Sequence, residues 1–284
     1  MGILAGLEGF GLGNLENSDI FAEEAEEKAK KKAEAVHQTT EEELVFEKSY
    51  KCPVCDKDFH SKTVKMGKAK LLGTDLDLRP KHETIDSLKY DVILCPNCGY
   101  AALSRYFQYI AAPQAKLIKA NISSKFQNNP PKGDIYTYDE AIERYKLALA
   151  NAVVKRARSS EKAYICLKMA WVVRGKAENL DANDPQYEAL KKACLEEEDE
   201  LLKNALEGFL AARQSEAFPM CGLDESTVDY SISVMSLRFG QLDVAAKLVS
   251  NLIVSPSTNK RMKDKARDLK DMIVEKVKKQ GSAK

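Results

Sequence analysis

The sequence predicts an α+β protein, mostly α, in which a small cysteine-held β unit precedes an antiparallel array of helical hairpins. Two observations carry this expectation. Four cysteines stand in two near-identical turns, Cys52-Pro53-Val54-Cys55 and Cys95-Pro96-Asn97-Cys98, with strand-like stretches beside them. From Tyr136 onward, apolar and small residues recur at helical spacing in segments joined by short polar turns. The composition agrees: 44% hydrophobic and 31% charged over 284 residues is ordinary for a folded chain with room for two cores.

The net charge is +1, so no global field points to nucleic acid or to an acidic membrane. The charge is unevenly spread, however. Residues 1–47 carry twelve acids against four bases, and residues 48–125 carry seven against fourteen. Seven cysteines is an odd count. The N-terminus lacks a basic stretch and a small-residue cleavage site, and no apolar run approaches the ~20 residues of a membrane span. These features predict a reducing cytoplasmic setting without a membrane partner, where paired Cys-x-x-Cys turns read as metal ligands. Cys166, Cys194 and Cys221 lie in helical stretches and are expected as small core residues.

Residues 1–43 read as a leader and a charged linker. Ile3, Leu4, Leu7, Phe10, Leu12 and Leu15 stand among five glycines. The bland expectation is a leader without fixed structure; the sharper one is a short docking peptide. Gly9-x-Gly11-x-Gly13 is not a phosphate loop, since no strand precedes it and no Lys follows. Residues 22–36 carry Glu24–Lys28, Glu26–Lys30 and Glu27–Lys31 in the favourable i,i+4 order, which predicts a solvated spacer helix.

Residues 44–125 form the expected metal module. A strand over 44–52 enters the first turn and one over 57–65 leaves it; a third, over 88–95, enters the second turn. Proline within each turn presets φ, and Gly99 after Cys98 is free to adopt positive φ. Asp56 holds the equivalent place in the first turn and tolerates that conformation less well. The stretch 68–88 is expected as loops and short turns. Residues 101–126 are expected as a helix broken at Pro113, followed by a second helix.

Residues 126–284 form the expected helical domain. Residues 138–149 place small residues where two helices would touch, as in the second helix of a tetratricopeptide (TPR) repeat. Tyr164, Leu167, Trp171 and Gly175 fall at the spacing of a first TPR helix, with Lys168 in place of the usual small residue. An insert over 179–200 follows, and Ala205, Phe209 and Ala212 resume the second-helix spacing. Ile232, Ser233 and Gly240 with Ala245, Val249 and Leu252 repeat the pair. Residues 259–279 are a Lys-rich helix suited to capping the stack, whose terminal unit needs a solvated face.

The two Cys-Pro-x-Cys turns, the string Lys89-Tyr90-Asp91-Val92-Ile93-Leu94-Cys95-Pro96-Asn97-Cys98-Gly99-Tyr100-Ala101-Ala102, and Leu237-Arg238-Phe239-Gly240 resemble a bacterial family of zinc-ribbon plus TPR-like proteins. That family is common in Firmicutes and is catalogued as a domain of unknown function. The resemblance covers roughly 44–279 and implies an intracellular metal-binding scaffold. It implies no catalytic residues.

Read on their own, Cys52, Cys55, Cys95 and Cys98 are a zinc-ribbon ligand set for one structural Zn²⁺. Four thiolates at about 2.3 Å complete the tetrahedral shell and leave no place for a reactive water. Iron suits four thiolates as well, and a redox dithiol is the competing reading, although that chemistry wants a βαβ setting. His60 and His82 are candidates for substitute ligands or a second site. Lys62, Lys65, Lys68, Lys70, Arg79 and Lys81, with aromatic residues nearby, are candidate phosphate contacts, diluted by interspersed acids. Tyr164, Lys168, Trp171, Ser233, Ser236 and Arg238 are candidates for a partner groove. The leading expectation is a non-enzymatic adaptor, a structural zinc ribbon on a protein-binding TPR-like scaffold. The alternative is a nucleic-acid or ribonucleoprotein-binding factor that uses the basic ribbon face.

Overall fold

The computed structural model describes residues 39–281, so the leader, its glycine triple and the 22–36 helix lie outside the described residues. From Glu41 onward the chain forms one compact unit, and the change from strands to helices near residue 125 falls inside it. The architecture is α+β and mostly α; among the described residues, three small antiparallel sheets are followed by a helical array.

One helical turn, α1 (Glu41–Leu44), leads into β1 (Val45–Lys51), which pairs with β2 (Asp58–Val64) from Val45 opposite Val64 to Lys51 opposite Asp58. The first cysteine turn joins them. β3 (Leu71–Thr74) and β4 (Pro80–His82) form a hairpin inside the stretch expected as loops. Its strands are short and lack alternation, which hid them. What closes the hairpin is a turn in which Asp75 N–H donates to the Arg79 carbonyl, and the docking of that turn on the helices.

A 3₁₀ turn (Ser87–Tyr90), capped by the Asp86 carboxylate, precedes β5 (Val92–Leu94). The second cysteine turn connects β5 to β6 (Ala101–Leu103). Here the expected helix is absent. Ala101, Ala102 and Leu103 are all buried, and pairing with β5 overrides the helical propensity of alanine. A helix, α2 (Ala112–Ile118), starts later, with Pro113 in its first turn where a missing N–H costs nothing.

The array comprises α3 (Tyr138–Val154), α4 (Ser159–Glu178), α5 (Tyr187–Ser215), α6 (Glu225–Arg238), α7 (Leu242–Val254) and α8 (Lys260–Gly281). A capping box of Thr137 and Glu140 starts α3. The insert expected over 179–200 is mostly the front of α5, a 29-residue helix. Cys194, Glu198, Leu201 and Leu202 form its buried stripe. The acidic composition disguised that stripe, because Glu198 is buried as an ion-pair partner.

The largest core cluster joins Val92, Leu94, Ala101 and Leu103 of the second ribbon hairpin to apolar residues of α3 to α6. The β5–β6 pair is thus part of the helical core. In α8, Met262, Ala266, Leu269 and Ile273 pack against α6 and α7, while the rest of the helix carries nine basic and four acidic residues.

Candidate metal centre

Each cysteine turn is shaped by its own backbone. Asp56 N–H donates to the Cys52 carbonyl at 2.9 Å, and Gly99 N–H to the Cys95 carbonyl at 3.0 Å. The chain then leaves in the left-handed region, at φ 60 for Asp56 and φ 73 for Gly99. Only glycine fits the second position, since a Cβ there would meet the Phe126 ring at 2.5 Å.

The turns bring all four Sγ atoms within 4.8 Å of one another. Across the turns, Cys52 to Cys98 is 3.6 Å and Cys55 to Cys95 is 3.7 Å. Bonds of about 2.3 Å to a tetrahedral ion place sulfurs about 3.8 Å apart, whereas a disulfide needs about 2.05 Å. The four cysteines therefore can hold a metal ion. Cys52, Cys95 and Cys98 are buried and Cys55 is half-buried, inside a cluster with Val54, Phe59, Ile93, Tyr100, Phe107 and Ile118. Among the described residues this is the one such group of cysteine, histidine or acidic ligands. His60 instead pairs with Ser49 at 3.0 Å and His82 with Ser87 at 3.3 Å, so neither joins the site.

Electrostatics point the same way. Four thiolates cannot share this space without a counter-charge. Hydrogen bonding from Cys52 and Cys98 holds Cys95 down to about 2, while the Cys95 thiolate pushes Cys52 up to about 12. Cys98 is also raised, chiefly by Cys52. A metal cation held between the four sulfurs would take the place of these shared protons and stabilise all four thiolates.

Helix α3 holds the ribbon from behind. Asn151 Nδ2 donates to the Gly99 carbonyl at 3.0 Å, and Arg144 donates to the Val92 carbonyl through Nε at 3.3 Å and Nη2 at 3.1 Å. Tyr145 OH reaches the Leu88 carbonyl at 3.0 Å. Sequence reasoning missed Arg144 and Asn151. The available signal was two polar residues on the stripe otherwise formed by Ala141, Tyr145, Ala148 and Ala152.

The six candidate phosphate contacts do not form one face. Lys62 is buried and donates to the Gly133 carbonyl, and Arg79 is buried between Asp75 at 2.7 Å and Glu178 at 2.6 Å. The Arg79 charge docks the β3–β4 hairpin onto the helices, whereas Lys62 faces the loop before α3 and, among the described residues, makes no ion pair. Lys70 pairs with Glu83 at 3.2 Å and Lys81 with Asp75 at 3.0 Å; Lys65 donates to the Glu43 carbonyl at 2.7 Å. Lys68 is exposed.

The candidate groove residues also divide. Tyr164, Trp171, Ser233 and Ser236 are buried, which removes them from an open groove. Trp171 Nε1 donates to Asp77 at 2.9 Å, and Ser233 Oγ to the Asp229 carbonyl at 2.7 Å. Lys168 pairs with Asp91. Helical spacing identifies an inner helix but not which of its faces remains open. Arg238 lines a cavity of about 690 Å³, walled by Leu76, Arg174, Leu202, Val234 and Met272. A second groove of about 780 Å³ lies over α4 between α3 and α5, with Leu149, Val153, Ala163, Met169 and Leu201 along it.

No helix among the described residues is long and apolar enough to cross a membrane. One family model, described as "Uncharacterized protein conserved in bacteria (DUF2225)", matches residues 45–273, which spans both the ribbon and the helices. No curated protein and no solved structure matches the chain.

Proposed function

The chain belongs to that bacterial family, and we propose that it is a non-enzymatic scaffold in which a structural zinc ribbon is built onto a TPR-like, protein-binding helical array. The observation that carries this reading is the closed set of four sulfurs. Cys52, Cys55, Cys95 and Cys98 supply every position of a tetrahedral shell, so a zinc ion held there ties strands together and has no free site for chemistry. The open grooves between helices, with apolar floors and charged rims such as Lys146–Glu197 at 2.8 Å, support a role in holding a protein segment. The nucleic-acid reading has less support, because Lys62 and Arg79 are buried and three of the other four lysines are engaged.

Metal analysis of the purified chain should give one zinc per molecule, lost in Cys95→Ser. Equal zinc content in Cys95→Ser would sink the metal assignment. Titration of the zinc-loaded chain into fluorescent single-stranded RNA at about 50 and 200 mM salt separates the two classes, because phosphate contacts release counterions. The scaffold reading expects no binding at the lower salt; tight, steeply salt-dependent binding would replace it with the nucleic-acid reading.

A further inference from the structure

The underside of the ribbon carries two buried cations that share an aromatic platform. Lys62 on β2 and Arg144 on α3 are 9% and 8% exposed. Lys62 Nζ lies 5.2 Å from the centre of the Tyr136 ring, and the Arg144 guanidinium carbon 4.4 Å from it. Their hydrogen bonds go to neutral groups: Lys62 to the Gly133 carbonyl, Arg144 to the Val92 carbonyl and to Ser61 Oγ at 3.2 Å. Among the described residues, no carboxylate forms an ion pair with either. The Glu140 carboxylate lies within electrostatic reach of both cations, but its oxygens accept the N–H groups of Thr137 and Lys132, each at 2.9 Å.

This contrasts with every other buried cation of the unit. Among the described residues these are Arg79, Lys89 and Lys155, and each faces a carboxylate at 2.6–2.7 Å. A buried charge without a counter-ion is costly, and structures retain one where a ligand supplies the opposite charge. Burial accordingly pulls the Arg144 pKa down, against the influence of Tyr136 and Glu140.

The two cations also open onto space. A cavity of about 180 Å³ is lined by Glu47, Ser61, Lys62, Asn129, Tyr136 and Arg144, with Glu47 opposite Lys62 in the β1–β2 register; Asn129, Tyr136 and Arg144 also line a neighbouring cavity of about 560 Å³, together with Asp139, Glu140 and Glu143. The smaller one is below the size of an ordinary drug-like site, which restricts it to a compact group. We propose that Lys62 and Arg144, with Ser61 and Asn129 beside them, form a binding site for a compact oxyanion, a phosphate or carboxylate group. Arginine contributes directional donors and lysine a point charge, the usual pairing around such anions. The site does not depend on the scaffold reading, and it abuts the metal knuckle, since Pro96 forms part of the same wall.

The test is calorimetry on the zinc-loaded full chain, with sodium phosphate and sodium acetate titrated separately against sodium chloride at matched ionic strength. One saturable site per chain is expected. Binding of phosphate alone assigns a phosphoryl-bearing ligand, and binding of acetate alone a carboxylate. Lys62→Met should weaken that binding at least tenfold while melting no lower than the parent in the absence of anion, because it removes an uncompensated charge. Arg144→Lys, which keeps the charge but not the fork, should weaken it with zinc content unchanged, and it carries the test if Lys62→Met does not fold. No saturable heat with either anion, or unchanged binding in the variants, overturns the site.

Discussion

The two hairpins that carry the cysteine turns look alike in sequence but sit in different surroundings. β1 and β2 are largely solvent-facing: of their fourteen residues, Val45, Phe59, Ser61 and Lys62 are buried. All six residues of β5 and β6 are buried, and four of them belong to the helical core. The first hairpin therefore has little apolar burial of its own and would depend on a metal cross-link at the cysteines, while the second also packs into the core of α3 and α4. A zinc ribbon treated as an autonomous module would be expected to unfold throughout without its ion. Here one half of it belongs to another core.

The sharpest way to break this comparison is to remove the metal. Chelation, or Cys95→Ser, should abolish amide-exchange protection over Val45–Val64, the region stabilised by a binding energy on the order of 10–16 kcal/mol. Protection over Val92–Leu94 and Ala101–Leu103 should persist. Equal loss in both hairpins would show that the helices do not hold the second one.

A middle-sized effect is expected where the β3–β4 hairpin docks. Its turn places Asp75 and Asp77 against Arg174 at 3.2 and 2.6 Å, and Glu198 joins Arg174 to Arg238 at 2.8 Å each. Glu198→Ala leaves Arg174 with Asp75 and Asp77 and the half-exposed Arg238 with Asp199, and should cost about 1–3 kcal/mol by chemical denaturation, with zinc content unchanged. A loss of zinc in this variant would show that the docking and the metal site are one system.

Asn151→Ala tests the grip of α3 on the second cysteine turn. Losing the bond to the Gly99 carbonyl should cost about 1–3 kcal/mol and raise exchange near Gly99 more than near Asp56. A uniform change at both turns would argue against separate support.

The smallest effect is a pH dependence at the docking turn. Burial alone would raise the Asp75 pKa, but Lys81 and Arg79 together hold it below the ordinary carboxylate value. A folded-state pKa below the unfolded one means that stability is present above the unfolded value and lost as pH falls through the folded one. Acid titration of Asp75→Asn should therefore show a shallower decline below about pH 4 than the parent shows. Identical profiles would remove Asp75 from the account.

The helices from 138 onward were legible because small and apolar residues repeat at helical spacing over long segments, and the cysteine turns because four ligands at that spacing have few other uses. The β6 strand was not, since Ala101-Ala102-Leu103 has the local propensity of a helix and becomes a strand only through its partner β5. The front of α5 was hidden for a related reason: Glu198 reads as solvated until Arg174 and Arg238 are seen beside it. Lys62 and Arg79 read as surface charge for the same reason, because burial of a charge depends on partners up to a hundred residues away.

By itself, then, the sequence determined the four candidate metal-binding cysteines, the left-handed positions that follow each turn, and most of the helices, all of which are read from spacing and turn chemistry within a few residues. Tertiary structure alone decided which hairpin joins the helical core, which inner-helix face is open, and which cations are buried with a carboxylate and which without. Those outcomes rest on desolvation and on pairing between distant segments, and neither is written in local spacing.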